Sequence, residues 1–235
     1  GWLEGFDFGW TPNTTDRQHK RYRYGNQPNM GLWNLYQLAN ALYPIIEDVT
    51  PLETILKQYT TDFEQQSLIM MKSKLGLSIS DADDLQLIQR LEDNLQLVET
   101  DMTIFFRKLS DFTDAESSLL LIEKAFYDFE NISNEVKYTW NLWFKKYANR
   151  LQKELISSEE RKQKMDAVNP KYVLRNYMSQ MAIDEADKGN YTLIDELFQL
   201  LKKPYETQPE QEKWFSKRPE WARNKVGCSM LSCSS

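Results

Sequence analysis

The stretch VKYTWNLWFKKYANRL, residues 136–151, sets Val136, Trp140, Trp143, Phe144, Tyr147 and Leu151 at intervals of three and four. Those intervals bring all six side chains to one face of an α-helix, with Lys145, Lys146 and Arg150 opposite. A stripe this wide and aromatic predicts core packing rather than a cofactor box. Working outward, the same period recurs. Leu32, Leu35, Tyr36, Ala39, Leu42, Tyr43 and Ile46 form one stripe, and Leu38 and Ile45 broaden it, which predicts a helix buried on most sides. Pro51 suits the first turn of the next helix, with Leu52, Ile55, Leu56, Tyr59 and Phe63 on one face. Ser80-Asp81-Ala82-Asp83 signals a further helix start, and Asp114 another that carries Leu119, Ile122, Phe126 and Phe129. Helices near 171–187 and 191–202 are separated by Gly189-Asn190, a C-cap and turn. Beyond Pro204 the pattern dissolves into a charged, Trp-bearing tail. No segment reads as a strand, and the expected class is all-α.

Composition agrees. The 235 residues are 41% hydrophobic with seven Trp, only eight Gly and eight Pro, which favours long helices over a turn-dense β fold. A formal charge of −6 gives no general signal for nucleic acid. No apolar run approaches the roughly 18 residues of a membrane span. The Asn-x-Ser/Thr matches at Asn13, Asn131 and Asn190 read as chance in the absence of a secretory signal. The opening GWLEGFDFGW reads as the middle of something longer, so the chain is expected to be a C-terminal piece.

Motifs that carry chemistry are scarce. DADDLQLIQRLE, residues 81–92, begins and ends like a calcium loop but has Leu85 where an oxygen ligand belongs and Gln86 where Gly must turn. Acidic residues at a helix N-terminus explain it better. His19 is the single histidine, which excludes a His-based zinc site, and it sits in a polar loop with nothing apolar to position it. DRQHKRYRYGNQP, residues 16–28, interleaves Arg17, Lys20, Arg21 and Arg23 with Tyr22 and Tyr24. Such interleaving suits single strands of nucleic acid, but the acidic remainder favours an ordered loop that packs its tyrosines or holds a phosphate or acidic partner. Both cysteines, Cys228 and Cys233, lie in the final GCSMLSCSS, where a Gly/Ser-rich tail offers them no core. Exposed tail thiols are open to oxidation and exchange, and two idle thiols are the alternative.

TPNTTD (11–16), RYRYGNQP (21–28) running into GLWNLYQLANAL (31–42), NPKYVLRNYMSQMAI (169–183) and the terminal KRPEWARNKVGCSMLSCSS together resemble the selenoprotein O family. The middle, about 48–165, matches only in helical character. The resemblance implies the helical C-lobe of a protein-kinase-like fold with a family-specific C-terminal extension. On that reading 1–30 is an activation-segment-like loop, 31–203 the lobe and extension, and 204–235 a Cys-bearing tail. It implies a pseudokinase that transfers AMP from ATP, with Mg²⁺ or Mn²⁺, to Ser, Thr or Tyr hydroxyls of protein substrates. The family's catalytic Asp and its nucleotide and metal ligands would then lie upstream of Gly1. No catalytic, cofactor or metal residue is expected in this chain, which alone would be inactive. Its partners would be protein substrates and the N-terminal kinase-like lobe. The compartment would be cytoplasmic in a bacterium and mitochondrial in a eukaryote. Cys233 matches the family's redox-active position before the terminal Ser-Ser, with Cys228 its one intrachain partner. In relatives a cysteine of the activation segment pairs with the tail, but Pro12 stands in that region here. A non-enzymatic helical interaction module is the alternative to the enzyme, and a nucleic-acid binder using residues 16–24 is the third reading.

Overall fold

The structure is a computed structural model and describes residues 3–11, 16, 18–225 and 228. It is all-α. Among these residues the only β pairing consists of isolated antiparallel bridges, Gly5 with Asp101 and Thr100 with Phe126. The α-helices are α1 (Gln27–Ile46), α2 (Val49–Lys74), α3 (Asp84–Leu95), α4 (Met102–Leu109), α5 (Ser118–Leu121), α6 (Asn134–Leu151), α7 (Ser158–Val168), α8 (Asn176–Ala186) and α9 (Thr192–Leu201). No helix among the described residues is long and apolar enough to cross a membrane.

The chain divides into two compact units. Among the described residues, one holds 7–11, 16 and 18–71, and the other holds 3–6 with 72–225 and 228. In the first, α1 and α2 approach closely at Gly31, where a Cβ would stand 2.5 Å from the Tyr59 hydroxyl. That hydroxyl donates to the Pro28 carbonyl at 3.1 Å. The expected burial of α1 is not found: none of its residues is buried. Trp33 is 45% exposed, Tyr36 52% and Ile45 80%. Its broad apolar surface is real, but the described residues of this chain leave it uncovered.

The second unit is built around α6. Ser133 caps it by accepting the Val136 N–H. Trp140, Trp143, Phe144 and Tyr147 are buried as their spacing predicts, and Phe105 of α4 packs against both tryptophan rings. The Trp143 indole donates to the Leu87 carbonyl at 3.0 Å, and the Tyr147 hydroxyl to the Leu75 carbonyl at 2.7 Å, so both polar tips are satisfied inside the core. Gly76 follows with φ +69°, and a Cβ there would lie 2.6 Å from Arg161 Cγ. Only glycine suits both conditions.

Three expectations fail in this unit. The segment from Asp114 is not one helix: α5 is short, a 3-10 turn follows at Glu123–Ala125, and Phe126 is extended because it bridges Thr100. The tail after Pro204 does not dissolve. It forms 3-10 turns at Pro209–Trp214 and Glu220–Ala222 and buries Trp214 against α8 and α9. Arg150 is not on a solvent face but is 5% exposed, its Nε donating to Asp84 Oδ1 at 2.6 Å and its Nη1 to Glu154 Oε1 at 2.9 Å.

That last cluster gives a pH prediction. Burial pushes the Asp84 and Glu154 carboxyls up, but hydrogen bonds outweigh it. For Asp84 they come first from Arg150 and for Glu154 first from Ser78, and both carboxyls end below their ordinary values. A carboxyl depressed in the folded state contributes stability above its unfolded pKa, about 4, and that stability is lost as pH falls through the folded value. Urea midpoints measured from neutral pH downward should therefore fall below about pH 4. Asp84→Asn should flatten that acid limb, and an unchanged limb would refute the assignment.

Candidate functional site

Three short extended pieces lie side by side next to α4. Phe6 N donates to Thr100 O at 2.9 Å and Met102 N to Glu4 O at 3.0 Å, while Asp101 N reaches Ala125 O at 2.7 Å. Leu3 and Phe6 are buried, so the segment 3–6 is held by packing as well as by hydrogen bonds. The sequence explains the start of α4: Asp101 is extended and its side chain accepts from Ile104 N, an N-cap immediately before the apolar run of 104–106.

Asp101 is also the centre of a buried charge cluster. Arg175 donates to both of its carboxylate oxygens, at 2.6 and 3.0 Å, with side-chain exposures of 2% and 0%. This is a bidentate, charge-assisted pair. Glu4 sits nearby, its carboxyl pushed up by burial and drawn back by Arg218 and Arg175. Arg218 joins Glu4 at 3.2 Å to Glu99 at 3.0 Å, and Arg223 takes both Glu99 oxygens. Lys217, Arg218 and Arg223 all lie over the Tyr127 ring. The Tyr127 hydroxyl accepts the Arg218 N–H at 3.2 Å, and burial, then the Asp101 charge, pushes its pKa up. Tail residues 217–223 thus strap the segment 3–6 to the start of α4. The Asp101 carboxylate is committed to Arg175 and to the cap, so the arrangement positions backbone and supplies no base.

In the other unit, Asp16 organises the loop that precedes α1. Its carboxylate accepts Arg21 N at 2.9 Å and Tyr22 N at 2.7 Å. The Arg21 guanidinium lies 4.3 Å over Trp33, and Tyr24 stacks on Phe8. Gly25 N donates to Phe8 O at 2.9 Å, so the chain doubles back on itself.

The family model for protein adenylyltransferase SelO matches residues 1–202. The chain belongs to the SelO family. Curated relatives named protein nucleotidyltransferase YdiU agree along its entire length: 57% identity for the protein of Flavobacterium johnsoniae, and 44% for those of Aromatoleum aromaticum and Rhodopirellula baltica. All of this chain is covered in each, but only 46%, 45% and 46% of the relatives. The chain therefore spans about half the length of the curated relatives it matches. The family match also takes in the middle of the chain, where the sequence alone shows only helical character.

Within this SelO-family chain the residues singled out from sequence do not converge on one centre. His19 is exposed in a turn. Asp84 of the acidic run is buried and spent on Arg150 and Lys72. Cys228 corrects the expectation that the tail offers no core. It is 2% exposed, packed in the cluster of Tyr172, Tyr177, Met178 and Leu200, and burial pushes its thiol up. Cys233, Pro12, Asn13 and Arg17 lie outside the described residues. The residues missed were Glu4, Asp101, Arg175 and Arg218. For Asp101 a signal was present, an Asp before Met-Thr-Ile-Phe-Phe that reads as an N-cap. For Glu4 and Arg218 there was none, since nothing local pairs residues so far apart.

Proposed function

We propose that this chain is the helical C-lobe and C-terminal extension of a kinase-like protein adenylyltransferase. The reaction transfers AMP from ATP, with Mg²⁺ or Mn²⁺, to Ser, Thr or Tyr hydroxyls of protein substrates. A hydroxyl oxygen bonds to the α-phosphorus, the bond to pyrophosphate breaks, and the hydroxyl proton passes to a base outside this chain. The nucleotide- and metal-holding residues are assigned to the part of the protein outside this chain. Among the described residues no group of three His, Cys, Asp or Glu is placed to hold a metal ion. The reading is carried by family membership over most of a chain that spans about half of its relatives. The exposed apolar side chains of α1 support it: Trp33, Tyr36, Leu42 and Ile45 stand in water on opposite sides of the helix, and the rest of the protein would cover them.

Residues 1–30 would be the activation-segment-like loop, and the strap from 217–223 would hold the segment 3–6 within it. Redox control, if carried by a tail thiol, belongs to Cys233, because Cys228 serves the core.

The test is to incubate this chain, and separately the complete protein, with labelled ATP, each metal and a protein acceptor. The complete protein is expected to label the acceptor and this chain to leave it unlabelled. Robust labelling by this chain alone would overturn the placement of the nucleotide site. No labelling by the complete protein would favour the non-enzymatic interaction module, which the same exposed α1–α2 surface supports.

A further inference from the structure

Helix α9, TLIDELFQLL at 192–201, is apolar on two sides. Leu197 and Leu200 are buried in the cluster with Tyr177, Met178 and Trp214, and Leu193 packs against it. That inward face accounts for the helix's place in the fold. The outward face repeats the pattern: Tyr191, Ile194 and Phe198 follow one another at intervals of three and four and are 62%, 44% and 59% exposed. Half-buried Leu201 continues the row. A helix apolar all round is ordinarily a buried helix, but here the second side lies open.

The charges beside that row say what fits it. Asp195 and Lys202 are seven residues apart, which puts them two turns apart along the same edge of the stripe. Both are exposed, and neither has an oppositely charged partner among the described residues, whereas Glu196 is paired with Lys213. The Lys202 Nζ lies 5.4 Å over the Phe198 ring, which fixes it beside the stripe. Turned end for end about a two-fold axis at Phe198, this surface meets its own complement. Ile194 falls opposite the second copy's Leu201, Phe198 opposite its counterpart, and Asp195 opposite Lys202, twice over. A parallel pairing would set like charge on like charge. A partner carrying a single sign of charge would satisfy one end of the row and repel the other.

We propose that α9 is a self-association surface, through which two copies of this protein pair antiparallel by Tyr191, Ile194, Phe198 and Leu201, with two Asp195–Lys202 ion pairs setting the direction. Aromatic side chains bury about 150–250 Å² each, so at their exposures Tyr191 and Phe198 alone offer roughly 250 Å² per copy. Ile194, Leu201 and the charged edge add to this, and the total falls among the small interfaces of weak, reversible partners, below about 1,200 Å². The dimer needs no nucleotide, so its failure would leave the adenylyltransferase reading untouched.

Sedimentation equilibrium of the 235-residue chain and of the complete protein, from about 1 to 300 µM, spans that affinity class. Both are expected to pass from monomer to dimer. Phe198→Ser should weaken the dimer about tenfold or more, since it removes the apolar contact on the axis. Asp195→Lys and Lys202→Asp should each weaken it, and the two together should restore it, because both ion pairs are then reversed. Trp33→Ser, on α1, should leave it unchanged. Circular dichroism checks that every variant keeps its helices. A complete protein that stays monomeric would overturn the proposal. So would a combined reversal no stronger than either single one, a dimer that Phe198→Ser leaves intact, or one that Trp33→Ser abolishes.

Discussion

Arg175→Met is expected to destabilise the second unit by about 3–5 kcal/mol, because it leaves the Asp101 carboxylate buried without its counter-charge. Asp101 is fully buried and takes two hydrogen bonds from Arg175, so no water replaces the guanidinium. A double variant, Asp101→Asn with Arg175→Met, should recover much of the loss. Asn still accepts from Ile104 N as a cap, and the unpaired charge is gone. Urea unfolding followed by circular dichroism measures both. Hydrogen exchange at Phe6 and Met102, whose amides bond to Thr100 and Glu4, reports the anchored segment directly. A loss below about 1 kcal/mol for Arg175→Met, the size of an exposed pair, would show that the cluster is hydrated and not the anchor described.

Trp140→Ala should cost about 3–5 kcal/mol, the range for removing a large aromatic from a closed core. Trp140 is fully buried and its ring meets Phe105, Phe126, Trp143 and Phe144. A comparison of phenylalanine variants sharpens the test. The Trp140 indole N–H is buried without an acceptor among the described residues, whereas Trp143 donates to Leu87. Trp140→Phe removes an orphan donor, while Trp143→Phe loses a made hydrogen bond to a carbonyl that keeps its place in the α3 ladder, which costs about 0.5–1.5 kcal/mol. Trp143→Phe should therefore be the more damaging in denaturant midpoints. The reverse order would mean that the two indoles have been given the wrong partners.

Those tryptophans also mark how far the sequence could be read. α6 was legible because its apolar residues keep one face over its whole length. α4 was not, because Thr103, Ile104, Phe105, Phe106, Arg107 and Leu109 are all buried and leave no polar face to show a period. α7 was missed for the opposite reason: only Arg161 and Met165 are buried, so the segment reads as solvated. The 114–129 region mimics a helix in its spacing, yet Phe126 is drawn into a bridge with Thr100, a long-range contact that overrides local period. α1 shows the converse, a helix whose apolar pattern predicts burial that the described residues do not supply. At the candidate site, Asp101 was legible as a cap, but the identity of its partner was not. Arg175 comes from a distant element, as do Arg218 and Arg223.

The strap across Glu4, Glu99 and Tyr127 joins residues made early to residues made late. During synthesis the segment 3–6 gains its backbone bonds once 99–102 has folded, but its ionic hold waits for 217–223. Contacts of such separation form late, and the surface they cover stays open until then. A chain cut short before Lys217 would lack Arg218 and Arg223, and so the ionic partners of Glu4 and Glu99.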